Sequence, residues 1–146
     1  NQDKLVLVGD AGFGYDEVKY IIQEFDLENR VIMPGWVREE DLPYIFSAAL
    51  AFVFSSKYEG FGIPVLQAMA CAVPTAVSNI PVMKEVAGDA SLYFDPGDKA
   101  SIRDALISLS DDESLRHRLI TSGLSRAQEF SWRKCASETL ELLEKL

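Results

Sequence analysis

Histidine and cysteine are nearly absent: one of the first and two of the second stand in 146 residues. Cys71 and Cys135 lie far apart in stretches that read as helical, and a lone His117 gives them no companion. Neither a Cys/His metal cluster nor a disulfide framework is encoded, and both thiols are expected to be reduced and buried. No apolar run approaches the roughly 20 residues that cross a bilayer. The opening NQDKLVLVGD shows neither the charged start nor the cleavage site of a secretory leader. The segment is therefore expected to be soluble and cytoplasmic, with no membrane span. Basic residues are outnumbered 14 to 23, a formal charge of −9, which argues against nucleic acid and anionic lipid as partners. Any anion must be held by local groups.

What is present is a cycle. Lys4 to Val8 is a β-branched and leucine run, and Tyr15 to Phe25 then sets Val18, Ile21, Ile22 and Phe25 at helical spacing. Val31 to Met33 precedes a helix from about Glu39 to Ala49, whose start Glu39, Glu40 and Asp41 favour through the helix dipole. Ala51 to Ser55 leads through a glycine-rich loop into a helix from Pro64 to Cys71. Thr75 to Ser78 precedes Pro81 to Ala87, and Ser91 to Phe94 precedes a helix from about Asp98 to Ser110. Near-continuous apolar strands alternating with helices imply an α/β fold, a doubly wound and mostly parallel sheet covered on both faces. The chain ends in two helices without a strand: Ser110 to Glu113 reads as a capping box before Leu115 to Phe130, and Ser131 caps a helix running to Leu146. Composition and length suit one domain spanning 1–146.

The stretch Ser55 to Pro74, SSKYEGFGIPVLQAMACAVP, follows a buried strand and enters a helix. Gly60 and Gly62 remove side chains where a backbone can approach a ligand or take positive φ. Pro64 suits the first turn, where its missing N–H costs nothing. Free amides near Val65 and Leu66, at the positive end of the helix, form a phosphate site that needs no basic surface. The position, beyond the carboxyl ends of parallel strands, is where doubly wound sheets bind ligands. Glu59 can accept from sugar hydroxyls, and Gln67, placed on the first helical turn, can bond a ribose diol. Spacing alone leaves a purely structural turn equally open.

The same residues resemble the signature of the group 1 glycosyltransferases, a large family of retaining GT-B enzymes, written E-G-F-G-x-P-x-x-E-A-M-A-x-G-x-P. Glu59, Gly60, Phe61, Gly62, Pro64, Ala68, Met69, Ala70 and Pro74 match it, with Tyr58 just ahead of it and Cys71 at an unspecified position. The likeness runs on through Leu5 to Gly9, Arg30 to Leu42, Ser78-Asn79, Glu85 to Gly88 and Phe130 to Trp132. It implies the nucleotide-sugar-binding C-terminal half of such an enzyme, with Rossmann-like topology. By this resemblance Glu59 faces the transferred sugar and is the one catalytic assignment. Gln67 holds the ribose; Gly60, Phe61, Gly62, Ile63, Pro64, Val65 and Leu66 meet sugar and diphosphate; Gly35, Trp36 and Val37 lie near the base. The partners implied are a UDP- or GDP-sugar, a glycan or lipid-linked acceptor and the enzyme's own N-terminal domain, on which the terminal helix packs. No cofactor and no metal is expected, in keeping with the absence of an Asp-x-Asp motif. The whole enzyme is expected in the cytoplasm, with a peripheral place on the inner membrane left open.

Two positions depart from the signature. Gln67 stands where glutamate is usual and gives up a charge-assisted bond, about 1 kcal/mol or more. Ala72 stands where glycine is usual, a change expected to alter packing behind the motif. The family's diphosphate-clamping arginine and lysine fall before Asn1, and the acceptor domain with its frequent histidine lies outside the sequence, so transfer by this segment alone is not expected. His117, in the charged run ESLRHRL, is read as structural. Gly9, Gly12 and Gly14 do not follow G-x-G-x-x-G spacing and are read as a turn at a cleft rim; Phe46, Phe52 and Phe54 are read as core. A non-catalytic module that binds a nucleotide sugar or a partner domain is the competing function; a nucleotide-sugar epimerase of similar fold lacks the E-G-F-G loop.

Overall fold

A computed structural model describes residues 3–12 and 14–145. Their contacts divide into two units, Asn1–Leu42 and Pro43–Leu146. Leu146, read as the end of the last helix, lies outside the described residues.

The first unit is one β-α-β turn. Strand β1 (Leu5–Val8) pairs in parallel with β2 (Val31–Gly35), joined by helix α1 (Tyr15–Glu24). Leu5 lies opposite Val31 and Val6 opposite Ile32, but Val8 meets Gly35, so β2 carries one extra residue. Pro34 sits there and has no N–H to offer the ladder, which is why the register slips at that point. Gly14 caps α1 at φ 82° without a side-chain bond, and Asp16 and Glu17 sit favourably in the first turn. Leu5, Val6 and Val8 remain exposed, as do Val18, Ile21 and Phe25. Coverage of both faces, expected of every strand, does not hold for β1: two strands and one helix supply cover for one face only.

It does hold in the second unit. Helix α2 (Leu42–Ala48) leads into β3 (Phe52–Phe54), helix α3 (Ile63–Ala70), β4 (Thr75–Ser78), helix α4 (Pro81–Ala87), a 3-10 turn (Gly88–Ala90) and β5 (Ser91–Phe94). The sheet is parallel in the order β3-β4-β5, and all four residues of β4 are buried. Ala76 faces one cluster with Phe94, Ala105, Leu109, Leu115 and Leu119. Val77, its neighbour, faces the other with Val65, Met69, Met83 and Ala87. The period of two along one strand thus divides the core into two clusters, one under α3 and α4 and the other under α5 (Lys99–Asp111) and the start of α6 (Glu113–Gln128), while Gly123 and Ala127 further along α6 pack against the first. Two buried hydroxyls of β4 are paired: Thr75 with Ser91, and Ser78 donating to the Phe54 carbonyl at 3.4 Å. Phe46 is buried edge-on against Phe52, ring centroids 5.2 Å apart, and Phe52 stacks on Phe54.

The helix ends correct the sequence reading. The turn at Glu39–Asp41 is closed by Arg38, which pairs with Glu40 at 2.6 Å and Asp41 at 3.0 Å, so the helix begins at Leu42 rather than Glu39. Helix α5 runs through Ser110 to Asp111, and the cap of α6 is Asp112, which accepts from the Leu115 amide at 2.8 Å. Arg116 from α6 then donates to the Leu109 and Ser110 carbonyls, closing the end of α5. Ser131 caps α7 (Trp132–Leu143) as expected, but the helix ends at Leu143, with Glu144 as its cap, short of Leu146. Neither free thiol is buried: Cys71 is half-exposed at the end of α3 and Cys135 is exposed on α7, a helix that buries none of its residues.

The Tyr93 hydroxyl donates to the Gly88 carbonyl at 2.6 Å. Burial and, after it, the Asp89 carboxylate push its pKa above the ordinary phenol value, with Arg126 opposing. Arg126 itself donates to the carbonyls of Glu85 and Val86 at the end of α4 and pairs with Glu129. These bonds close a helix whose final carbonyls have no intrahelical donor.

Ala72 is held at φ 58°, where an L-residue with a Cβ is strained. That conformation accounts for glycine being usual at this position better than packing does, because the side chain is exposed. Left-handed alanine costs about 1–2 kcal/mol, offset in part by the unfolded-chain freedom of glycine. Ala72→Gly is expected to stabilise the chain by up to about 1 kcal/mol, read from the midpoint of urea unfolding; a midpoint that falls would show that the strain is not there.

Candidate functional site

The loop from Ser55 to Gly62 leaves the carboxyl end of β3 and enters α3. Because β3 and β4 are adjacent and parallel, Ser78-Asn79 begins at the same edge, and the Ser78 hydroxyl on the Phe54 carbonyl ties the two strand ends together. This is the edge at which doubly wound sheets hold ligands.

Gly62 anchors the far end of the loop. It is buried, caps α3 at φ 94° and ψ 44°, and a Cβ placed on it overlaps the Met83 methyl and comes within 3.8 Å of the Phe54 ring. The left-handed conformation therefore demands glycine, and a Cβ would in addition push the Met83 methyl aside. Gly60 differs: its φ is not positive and a Cβ there meets nothing within 4 Å. Neither backbone conformation nor packing within the chain requires a glycine at 60.

The helix start offers fewer donors than the sequence suggests. The Val65 amide, read as free, donates to the Gly62 carbonyl at 3.0 Å, and Pro64 has no N–H. Among the described residues, no backbone–backbone hydrogen bond takes up the amides of Gly60, Phe61, Gly62 or Ile63. The donors available to an anion thus lie on the glycine loop and at the first residue of α3, and the dipole of α3 adds positive potential there. Pro64 is the second helical residue, and Gln67 opens the second turn of α3 rather than lying on the first. Gln67 shares a helix face with Ile63, and is half-buried, as are Leu66 and Pro64.

Glu59 is half-buried and accepts a hydrogen bond from the Ser56 hydroxyl at 2.7 Å. Phe61 is 42% exposed and meets the edge of Phe130, centroids 5.8 Å apart, while the Arg126 guanidinium stands 4.8 Å from the Phe130 ring. The loop is thus supported by Met83 beneath and Phe130 beside it. Neither has a signal in the local sequence, because both come from far along the chain. Ser56 had one: a hydroxyl three positions before a carboxylate in a loop is within bonding reach of it. Asn79, exposed at the adjacent strand end with its amide on the Phe94 carbonyl, is a further residue at this edge.

Gly35, Trp36 and Val37 belong to the first unit. Gly35 ends β2 at φ 77° and accepts from the Gly9 amide; Trp36 is exposed and Val37 half-buried. In the same unit Gly9, Asp10, Gly12 and Gly14 line an open hollow of about 240 Å³ with Tyr15 and Met33. His117 is exposed, 3.5 Å from Glu113. Among the described residues no group of three acidic, histidine or cysteine side chains is placed to hold a metal ion, and no helix is long and apolar enough to cross a membrane.

The family model of glycosyl transferases group 1 matches residues 1–126. The O-antigen chain mannosyltransferase B of Escherichia coli is 39% identical over 136 residues, which cover 93% of this chain and 36% of that protein. The mannosylfructose-phosphate synthase of Agrobacterium fabrum is 34% identical over 132 residues, 88% of this chain and 29% of that protein. The chain thus spans about a third of the length of these relatives. Sucrose-phosphate synthase from Thermosynechococcus elongatus superposes with a TM-score of 0.88 at 27% identity, over 97% of this chain and 38% of that one. Anabaena Alr3699/HepE, solved in complex with UDP and glucose, does so at 0.87 and 25%, over 98% and 41%. The mixed α/β fold with parallel sheets is that of GT-B glycosyltransferases.

The two motif glycines are expected to separate on substitution. Gly62→Ala combines left-handed strain with displacement of a fully buried Met83 side chain and is expected to cost about 2 kcal/mol or more. Gly60→Ala is expected to change stability by less than about 0.5 kcal/mol. Urea unfolding of the two variants checks this; equal losses would place both glycines in the service of the fold.

Proposed function

The chain belongs to the group 1 glycosyl transferases, and from that premise we propose that residues 1–146 form the donor-binding domain of a retaining, metal-independent hexosyl- or N-acetylhexosaminyltransferase. The donor is a UDP- or GDP-sugar and the acceptor a glycan, in the assembly of a bacterial surface polysaccharide on the cytoplasmic side of the membrane. The likeness to an O-antigen mannosyltransferase supports that placing and favours mannose as the hexose. The likeness to a protein solved with UDP and glucose supports a nucleotide-sugar site.

The observation that carries the reading is the loop between β3 and α3, which combines a carboxylate, amides unengaged by the backbone and a helix N-terminus at one strand edge. In this reading Glu59 accepts from hydroxyls of the transferred sugar. The amides of Gly60 to Ile63 and the positive end of α3 meet the diphosphate, with Pro64, Val65 and Leu66 shaping the wall. Gln67 bonds the ribose, and Gly35, Trp36 and Val37 flank the base. As the sugar–phosphate bond breaks, negative charge accumulates on the leaving diphosphate while the sugar becomes oxocarbenium-like. Fixed donors aimed at that charge lower the barrier without a metal or cofactor. The acceptor attacks from the face the diphosphate leaves, and the leaving phosphate takes its proton, so configuration is retained without a protein nucleophile. Gln67 in the usual glutamate position favours one second reading, a domain that binds a nucleotide sugar without turning it over.

Titration of the chain with UDP, GDP, UDP-glucose and GDP-mannose, followed by amide NMR, tests this. Shifts are expected at Tyr58 to Gln67 and at Gly35 to Val37 with one of the two nucleotides. Gln67→Glu, which restores a charged acceptor, is expected to tighten that nucleotide about five-fold or more, about 1 kcal/mol. Shifts confined to residues remote from the loop would overturn the assignment.

A further inference from the structure

The bond between Ser56 and Glu59 does more than satisfy two polar groups. Ser56 lies just beyond the end of β3, half-buried, where Ser78 on the Phe54 carbonyl fixes the strand end. Its hydroxyl donates to one carboxylate oxygen of Glu59, Oε1, at 2.7 Å, an ordinary length for O–H on a carboxylate. The stretch between β3 and α3 is thus pinned at its start by strand pairing, at its end by Gly62 against Met83, and between them by this one side-chain bond. A glutamate otherwise turns about three side-chain bonds, and freezing them when a ligand arrives opposes binding. Here the freezing is done on folding, and Oε1 is taken while Oε2 is left for a ligand hydroxyl.

We propose that Ser56 is a positioning residue for Glu59: it fixes the carboxylate in the orientation that receives the sugar of the nucleotide-sugar donor, and so contributes to recognition of the sugar but not of the nucleotide. The proposal rests on the reading of Glu59 as the sugar-facing group. It separates Ser56 from a residue that merely stabilises the loop, because loss of the loop's shape would weaken nucleotide and nucleotide sugar together, whereas a freed Glu59 affects the sugar end alone.

The test compares the chain with Ser56→Ala, Ser56→Thr, Glu59→Gln and the Ser56→Ala/Glu59→Gln double variant, titrated with UDP and UDP-glucose and with GDP and GDP-mannose. For the pair that binds, Ser56→Ala is expected to weaken the nucleotide sugar about three- to ten-fold and to leave the nucleotide within about two-fold, the loss of one charge-assisted hydrogen bond acting through another residue. Ser56→Thr, which keeps the hydroxyl, restores the sugar affinity. In the Glu59→Gln background Ser56→Ala adds no further loss. If Glu59→Gln weakens the nucleotide sugar and Ser56→Ala does not, the positioning role falls while the reading of Glu59 stands. Equal weakening of nucleotide and nucleotide sugar by Ser56→Ala, or additive losses in the double variant, likewise overturns it. If Glu59→Gln changes neither affinity, or no nucleotide sugar binds, the sugar-facing reading fails and the inference goes with it.

Discussion

Gly62, held at φ 94°, packs directly on the methyl of the buried Met83 side chain. That contact fixes where α3 begins, and the rest of the candidate site is measured from that point. Met83 belongs to the cluster on one face of β4, with Val65, Met69 and Val77, so the helix start is referred to the buried sheet and not to the exposed surface around the loop. A helix N-terminus useful to an anion must be both open and immobile. Openness comes from the loop ahead of it and immobility from the core behind it. Because β4 is covered on both faces, its carboxyl edge is the place at which neighbouring loops remain accessible while their roots stay rigid.

Electrostatics follow from the same arrangement. A formal charge of −9 would repel a diphosphate if its attraction depended on the long-range field, which salt screens within about 10 Å. Backbone donors act at hydrogen-bond distance and carry no net charge, so an acidic surface is compatible with anion capture at the start of α3. A glutamine at 67 fits this logic in one respect: it removes one negative charge from the vicinity of the proposed phosphate site while keeping an acceptor for a ribose. What it loses is the stronger charge-assisted bond.

The alternation of strands and helices was legible because each strand of the second unit is a short apolar run bounded by turn residues, as in Thr75 to Ser78 and Ser91 to Phe94. Ends were less legible. Ser110 reads as an N-cap in the sequence, but α5 absorbs it and Asp112 caps α6, an arrangement that Arg116 closes by reaching back to the Leu109 and Ser110 carbonyls. Pro34 was read past the end of its strand, yet β2 continues to Gly35 by taking a bulge that needs no proline N–H. Cysteine is usually buried, which misled at Cys135, whose helix buries nothing. In the site, the loop's position was plain from its composition, but its supports were not. Met83, Phe130 and Arg126 are distant in sequence, and their proximity to Gly62 and Phe61 is a product of the packed fold.

The glycine-rich signature therefore joins two kinds of constraint that look identical as letters. At 62 the constraint is backbone conformation together with a buried neighbour, and at 72 it is conformation alone, which this chain violates with alanine at φ 58° and accommodates because nothing else is asked of the position. At 60 neither conformation nor packing within the chain explains the residue. Position 60 lies between a carboxylate held by Ser56 and a helix start packed against Met83, and the fold leaves it unconstrained. The same reasoning separates the side chains of the loop. Tyr58 is almost wholly exposed and braced by no described contact, whereas Phe61 is held at its edge by Phe130. Order in this loop is concentrated on Glu59, Phe61 and Gly62, each held by a contact within the chain.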